Sequence, residues 1–220
     1  MRCVILSDTH EKHSEVIVPE GDLLIHCGDF TNRGSDAVIT NFLTWFSGHQ
    51  HKYKCFIMGN HELGTDGGPN RPRKLEIVKS FTDKYENLFY LENSPITIEG
   101  INLYGSGYTP FYHNWAWNVM RGEAIAKCWA RIPTNTNLLI THGPPRGILD
   151  LVDDYGEVRH EGCDDLLDKV WRLPELRLHC MGHLHNQSHQ VEEINGITFV
   201  NAAIVDDRHR IIHQPVIIDI

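Results

Sequence analysis

The stretch Cys180-Met181-Gly182-His183-Leu184-His185-Asn186 sets two imidazoles two residues apart, just past the apolar run 176–181. In extended backbone, residues i and i+2 face the same side, and two neutral imidazoles aimed together suit a metal ion. An isolated pair of this kind is more often two solvated loop histidines, so its meaning rests on the rest of the chain. Four other buried runs end in the same way. Val4-Ile5-Leu6 leads into Ser7-Asp8-Thr9-His10, Leu23 to Cys27 into Gly28-Asp29, Phe56-Ile57-Met58 into Gly59-Asn60-His61-Glu62, and Leu138-Leu139-Ile140 into Thr141-His142-Gly143. Four of the five ends carry a glycine that lets the backbone turn sharply.

The candidate donors are therefore Asp8, His10, Asp29, Asn60, His142, His183 and His185, all oxygen or nitrogen and none a thiolate. Seven donors exceed what one ion uses, whereas two ions about 3.5–4 Å apart and bridged by a carboxylate can engage them all. Without cysteine the set does not match a closed structural zinc site. Two divalent ions are expected, manganese first, with iron and zinc open. Such a pair lowers the pKa of a bridging water, to roughly 7 in favourable cases, so that a metal-bridging hydroxide is available as the nucleophile for hydrolysis at neutral pH. The ions also neutralise negative charge as it develops on a bound substrate.

Positioning these donors requires buried strands whose carboxyl ends share one edge. Short apolar runs predict strands over 2–7, 22–27, 53–58 and 138–141. Val38, Ile39, Phe42, Leu43 and Phe46 recur at helical spacing over 36–46, with Ser35 as N-cap, and a second amphipathic helix is expected over 73–85. A hairpin over 94–105, a helix over 121–129, a hairpin over 187–200 about Asn195-Gly196, and a closing strand over 211–220 complete the reading. Strands alternating with helices place ligands beyond the strands' carboxyl ends. The expected class is α/β, with mixed sheets stacked face to face and flanked by helices, as one domain over residues 1–220.

The formal net charge of −9 disfavours a long nucleic-acid partner, since such binders neutralise many phosphates with Lys and Arg. A small anionic substrate held by metals is compatible with it. Six cysteines without a CxxC pair are read as reduced, and no segment has the length of a membrane span, so the expected location is the cytoplasm. Six aromatics crowd residues 104–117. That run is read either as a platform on which a base stacks, with His113 and Asn114 as polar contacts, or as a loop anchor or the subunit interface of a homodimer. Arg146 is a candidate phosphate contact, and the acidic segment 149–155 is assigned to the rim. His26 and His179 are assigned to the core. His13, His49, His51, His160, His189, His209 and His213 are assigned to solvent.

In order, Asp8-Thr9-His10, Gly28-Asp29, Gly59-Asn60-His61-Glu62, Thr141-His142-Gly143-Pro144 and Gly182-His183-Leu184-His185 resemble the five motifs of calcineurin-like metallophosphoesterases. Ser7-Asp8-Thr9-His10, Gly28-Asp29-Phe30-Thr31 and Thr109-Pro110-Phe111 are similar more narrowly to the metallophosphoesterase-domain-containing branch, relatives of class III cyclic-nucleotide phosphodiesterases. The resemblance implies a four-layer α/β/β/α sandwich. It implies one ion on Asp8, His10, Asp29 and His185, a second on Asn60, His142, His183 and the bridging Asp29, and His61 as a catalytic side chain rather than a ligand. The function it implies is a phosphodiesterase for small substrates such as cyclic nucleotides. The alternatives are a phosphomonoesterase, a nuclease acting on nucleic-acid ends, or a non-enzymatic scaffold. In Gly28-Asp29-Phe30-Thr31-Asn32-Arg33-Gly34 the chain departs from the pattern GDxxDRG, because Asn32 stands where an aspartate pairs with the catalytic histidine. Arg33 in the same stretch is a candidate phosphate contact.

Overall fold

The computed structural model describes residues 1–154 and 156–220. In chain order its elements are β1 (Arg2–Leu6), β2 (Leu23–His26), α1 (Asp36–Ser47), β3 (Tyr53–Phe56), α2 (Arg71–Lys84), β4 (Leu88–Tyr90), β5 (Ser94–Ile98) and β6 (Ile101–Ser106). The short strands β7 (Thr109–Pro110) and β8 (Asn118–Val119) follow, then α3 (Glu123–Trp129), β9 (Leu138–Thr141), β10 (Leu151–Asp154), β11 (Glu157–His160) and α4 (Asp164–Val170). The chain ends with β12 (Leu178–Met181), β13 (Gln190–Ile194), β14 (Ile197–Asn201) and β15 (Val216–Asp219).

Two mixed sheets result, in the orders β15-β1-β2-β3-β4 and β13-β14-β12-β9-β6-β5. In the first, β1 to β4 run parallel and β15 pairs antiparallel with β1. In the second, β6, β9, β12 and β14 run parallel between two hairpins. Their side chains alternate between two destinations, as a strand's period of two dictates. Cys3 and Ile5, Leu23 and Ile25, and Cys55 face Leu138, Ile140, Leu178, Cys180 and Val200 across the gap between the sheets. Val4, Leu6, Leu24 and Phe56 point outward against Ile39, Phe42, Leu43 and Phe46 of α1 and Val78 of α2. On the far side Leu139, Met181 and Phe199 meet Ile125 and Trp129 of α3 and Leu166 and Val170 of α4. The layers are thus α/β/β/α. Strands buried on both faces read as continuous apolar runs rather than alternating ones. Each buried large apolar side chain contributes roughly 1.5–3 kcal/mol, so these layers hold the fold and the polar edge rides on them.

Several local expectations shift. The third helix begins at Glu123 rather than 121, because Gly122 at its N-terminal cap has φ 80°. The closing strand contracts to Val216–Asp219, since residues 206–210 form a turn and Val205 bridges Ile211. Strands β4, β10 and β11 and helix α4 were not anticipated. The hairpin β13–β14 turns at Asn195-Gly196, both at positive φ, as its turn chemistry requires. Of the histidines assigned to solvent, His13 and His51 are buried. His13 Nε2 lies 2.6 Å from Asn41 Oδ1 in an aromatic pocket with Phe42 and Trp45, where the apolar stem of the cluster claims the ring. His26 and His179 are buried as expected, and the six cysteines are free thiols. Among the described residues no helix is long and apolar enough to cross a membrane.

Candidate active site

The carboxyl ends of β1, β2, β3, β9 and β12 meet at one edge of the sandwich. Ser7 bridges Ala203 across the sheets, Gly182 N–H donates to His142 O at 2.9 Å, and His142 Nδ1 lies 2.8 Å from Cys27 O. Four of the candidate donors sit in left-handed backbone: Asp8 (φ 57°), His10 (φ 40°), Asp29 (φ 56°) and His183 (φ 70°). Such conformations cost non-glycine residues roughly 1–3 kcal/mol each and collect at functional sites. The turns are also tight enough to need glycine. A Cβ on Gly182 would stand 2.1 Å from both Asp8 Oδ2 and Ser7 Oγ, and one on Gly59 would stand 2.3 Å from Asp29 Oδ1.

All seven candidate donors are brought to this edge, and Asp29 lies at its centre. One close group is Asp29, His142 and His183, with Asn60 beside it. There His142 Nε2 is 3.1 Å from Asp29 Oδ2 and 2.9 Å from Asn60 Oδ1. A second group is Asp29, His10 and His61, with His61 Nε2 3.9 Å from Asp29 Oδ2. Asp8 completes the edge on that side, its Oδ1 3.4 Å from His185 Nε2 and 4.0 Å from His10 Nε2, while its Oδ2 accepts His183 N–H at 3.0 Å.

These groups fit cations. The His142 Nδ1–H donates to Cys27 O, so its Nε2 faces a carboxylate oxygen and an amide oxygen, and once the proton it carries there leaves, all three offer lone pairs to a cation. Both ring nitrogens of His10 are buried without a hydrogen-bond partner, a costly state that a metal ion on one of them would relieve. Burial holds His10 down to about 4 and His183 down to about 3, so both rings are neutral ligands at neutral pH. Burial opposes charge on His142 as well, yet the Asp29 and Asp8 carboxylates push it up to about 9. Burial likewise opposes ionisation of Asp8 and Asp29, but the surrounding imidazoles hold both below the usual carboxylate range.

Three residues near the donors carry roles the sequence did not disclose. Glu62 is fully buried and accepts N–H bonds from Asp29 (2.9 Å), Gly59 (2.6 Å) and Thr31 (2.8 Å), clamping the β2 turn to the β3 turn. Burial and the neighbouring Asp29 push it up to about 8. Trp115 stacks on His61 with ring centroids 4.1 Å apart. His209, assigned to solvent, instead stacks on His10 at 3.8 Å, because the turn 206–210 folds back over the site. Glu62 stands within the stretch Gly59-Asn60-His61-Glu62, which gave it no role. Nothing in the spacing signalled His209, which follows no strand end.

The substituted position is resolved by the backbone: His61 Nδ1 lies 2.9 Å from the main-chain oxygen of Asn32, so a carbonyl orients the ring where a carboxylate was expected. The aromatic run divides. Trp117 is an anchor, buried with its Nε1–H on Thr65 Oγ1 at 2.9 Å, whereas Trp115 faces the site through His61. His113 and Asn114 are exposed beyond it, with His113 packed edge-on against Tyr112. Arg33 is exposed on the turn after Asp29. Arg146 reaches His160 O at 3.2 Å and Asp164 Oδ1 at 3.4 Å. A pocket of about 470 Å³ adjoins His183 and His185, with Phe111, Tyr112 and Pro144 among its walls. Val152 and Asp153 of the expected rim line it, and Tyr155 lies outside the described residues.

Comparison with known proteins agrees with this geometry. The family profile described as calcineurin-like phosphoesterase matches residues 1–187. A UPF0046 protein of Caenorhabditis elegans is 39% identical, the match covering 99% of this chain and 74% of that protein. Metallophosphoesterase domain-containing protein 1 of Homo sapiens is 34% identical over 100% of this chain and 71% of its own length. Among solved structures, a phosphopantetheinyl hydrolase from Mycobacterium tuberculosis superposes with a TM-score of 0.61 at 17% identity, covering 94% of this chain and 90% of that one. A Thermus thermophilus protein superposes with a TM-score of 0.63 at 8% identity, covering 91% and 88%. At such identities the two structures speak to the fold alone.

Proposed function

This chain belongs to the calcineurin-like phosphoesterase family, and from that premise we propose that it is a two-metal phosphodiesterase for small substrates such as cyclic nucleotides. The observation that carries the proposal is the place of Asp29 in two of the three close donor groups, one with His142 and His183 and one with His10 and His61, the third being His10, His185 and His209. A carboxylate shared in this way is what a pair of adjacent ions requires. Asp8, His10, Asp29 and His185 would hold one ion, and Asn60, His142, His183 and Asp29 the other. When bound, the ions activate water as the nucleophile and neutralise charge on the phosphoryl oxygens.

The chain's own groups do the rest. His61 donates its Nδ1–H to Asn32 O, which fixes the tautomer and leaves Nε2 facing the site, where a proton can be held for the leaving oxygen. Trp115 holds the plane of that ring from one face. The exposed rings of Phe111 and Tyr112, 55% and 63% accessible, lie along a pocket of about 470 Å³ and support a flat group such as a base beside the phosphate. The pocket's size favours a small ester over a polymer. Six free thiols support a reducing, cytoplasmic setting.

The test is a panel of bis-p-nitrophenyl phosphate, cyclic nucleotides, phosphomonoesters and single-stranded DNA. It is run on manganese-loaded protein and on protein stripped with EDTA. The diesters and cyclic nucleotides are expected to turn over only with metal. Preferential hydrolysis of monoesters or DNA ends would replace the substrate assignment, and metal-independent or absent turnover would overturn the reading.

A second expectation follows from the histidines. His142 sits near 9 without metal, and His185, against the cost of burial, is raised by its hydrogen bond to Asp8. A raised pKa means the proton is present below that value and must leave when a cation takes the lone pair. Metal uptake at pH 7 is therefore expected to release about one to two protons per chain, and affinity should climb with pH until roughly pH 9 and then level off. Titration calorimetry in buffers of different ionisation enthalpy measures the release. Uptake without proton release would show that these two rings are not the ligands.

A further inference from the structure

We propose that His209 faces the substrate, donating a ring N–H to a phosphoryl oxygen across the site from His61; the inference rests on the phosphoester reading above. The residue is presented by a built turn. Asp206 Oδ1 accepts the N–H groups of Arg208 (3.0 Å) and Arg210 (2.9 Å), its Oδ2 takes Arg210 Nε–H at 2.7 Å, and its main-chain N–H and O close on Arg210 O and His209 N–H at 3.0 and 2.8 Å. His209 itself stands at φ 53°, an uncommon state for a non-glycine residue. Asp207 fastens the turn to the site's own strand end, its Oδ2 accepting Asn186 Nδ2–H at 3.0 Å next to His185.

So held, the His209 ring lies parallel to His10, 3.8 Å away at 7°, and edge-on to His185 and His61 at 5.6 and 6.0 Å. The His10–His61 separation is 4.7 Å, so the three centroids make a nearly right-angled corner with His10 at its apex. An ion bound through a ring nitrogen lies in the plane of that ring. A ring stacked parallel at this distance cannot share the ion at the roughly 2.0–2.1 Å of a metal–imidazole bond. His10, His185 and His209 bring ring nitrogens within 4.8 Å of one another, but the parallel stacking would leave ligation to His10, with His209 lying against its face beside the candidate donors. The open side of the corner between His209 and His61 suits an oxygen accepting from both, at about 2.7–3.0 Å each. Charge on the ring is not required, because a neutral imidazole keeps one N–H.

The test compares the full-length manganese-loaded parent with His209→Ala and His209→Gln. It reads bound manganese by mass spectrometry, affinity for inorganic phosphate by calorimetry, and KM and kcat with bis-p-nitrophenyl phosphate. Manganese content at the parent's level is expected in both variants. Phosphate binding should weaken about tenfold in the alanine variant, as for a lost hydrogen bond to a charged group. The loss should appear mainly in KM, and glutamine, which keeps an amide N–H donor, should restore much of it. Parent-like phosphate affinity in His209→Ala would overturn the assignment, and so would loss of manganese from it, which would make the ring a support of the ion. A parent that binds manganese yet neither binds phosphate nor hydrolyses the diester would overturn the phosphoester reading itself. That failure is distinct, because it is read on the unaltered chain.

Discussion

Asp29→Ala is expected to abolish measurable diester hydrolysis, with kcat/KM down roughly 1,000-fold or more, beyond the 10²–10³ that loss of one charge-stabilising donor costs. The magnitude follows from position. Asp29 Oδ2 stands 3.1 Å from His142 Nε2 and 3.9 Å from His61 Nε2, and its Oδ1 accepts the His61 N–H at 2.8 Å. Its removal takes a carboxylate from both assigned ion sites at once, leaving Asp8 as the only carboxylate of one and none at the other, and the turn that carries His61 loses an anchor. Asp29→Asn separates these contributions. It keeps an oxygen for the His61 N–H and nearly the same volume, but removes the charge the cations need. Both variants should therefore lose manganese and activity, while only the alanine variant should also loosen the 60–62 turn. Metal content, kcat/KM and hydrogen exchange of the His61 amide check the three parts. Retention of manganese with parent-like turnover in either variant would show that the donors assemble for a purpose other than a shared metal pair.

The gathering of the seven candidate donors at one edge and the two-sheet sandwich were legible for a common reason. A strand buried on both faces writes an unbroken apolar run, and polar residues that interrupt its end have no role in that core. Leu23 to Cys27 followed by Gly28-Asp29 shows the pattern, and the structure sets Asp29 at the centre of the site. Helix α1, which buries Ile39, Phe42, Leu43 and Phe46 at helical spacing, was equally readable. What escaped lacks that signature. Strand β4 is three residues, too short for a period, and β10 and β11 pair in an exposed ribbon whose sequence carries no apolar face. Helix α4 spans seven residues and buries only Leu166 and Val170. His209 and Trp115 reach the site by tertiary folding of loops, through contacts to His10 and His61 far away in sequence, and no spacing rule reports such contacts. Asn32 misled in the opposite direction. The side chain that the motif emphasised is not the partner of His61, because the main-chain oxygen at that position is available whatever residue stands there.

Glu62 is where the fold and the site are joined, and its removal should be felt first as instability. Its two oxygens take three main-chain N–H groups, two from the turn after β2 and one from the turn after β3, in a place with no solvent access. Glu62→Ala leaves all three donors buried and unpaired. At about 1–3 kcal/mol for each abandoned group, and with water filling part of the space, the cost should be about 3–6 kcal/mol. For a chain of this size that corresponds to a fall in Tm of about 10–20 °C. Glu62→Gln tests whether the acceptors or merely the volume matter. It retains one acceptor oxygen, but its NH2 must oppose at least one of the N–H groups, so a loss of about 1–3 kcal/mol is expected by the same scale. Since the clamp fixes both Asp29 and the Gly59-Asn60 turn, the glutamine variant should also bind manganese about 10- to 100-fold more weakly while remaining folded, as changes behind metal ligands do. Denaturant unfolding followed beside metal titration checks the pair. If Glu62→Ala unfolded within 1 kcal/mol of the parent, the three hydrogen bonds would not be holding the turns, and the rigidity of the site would have to come from the β-strands alone.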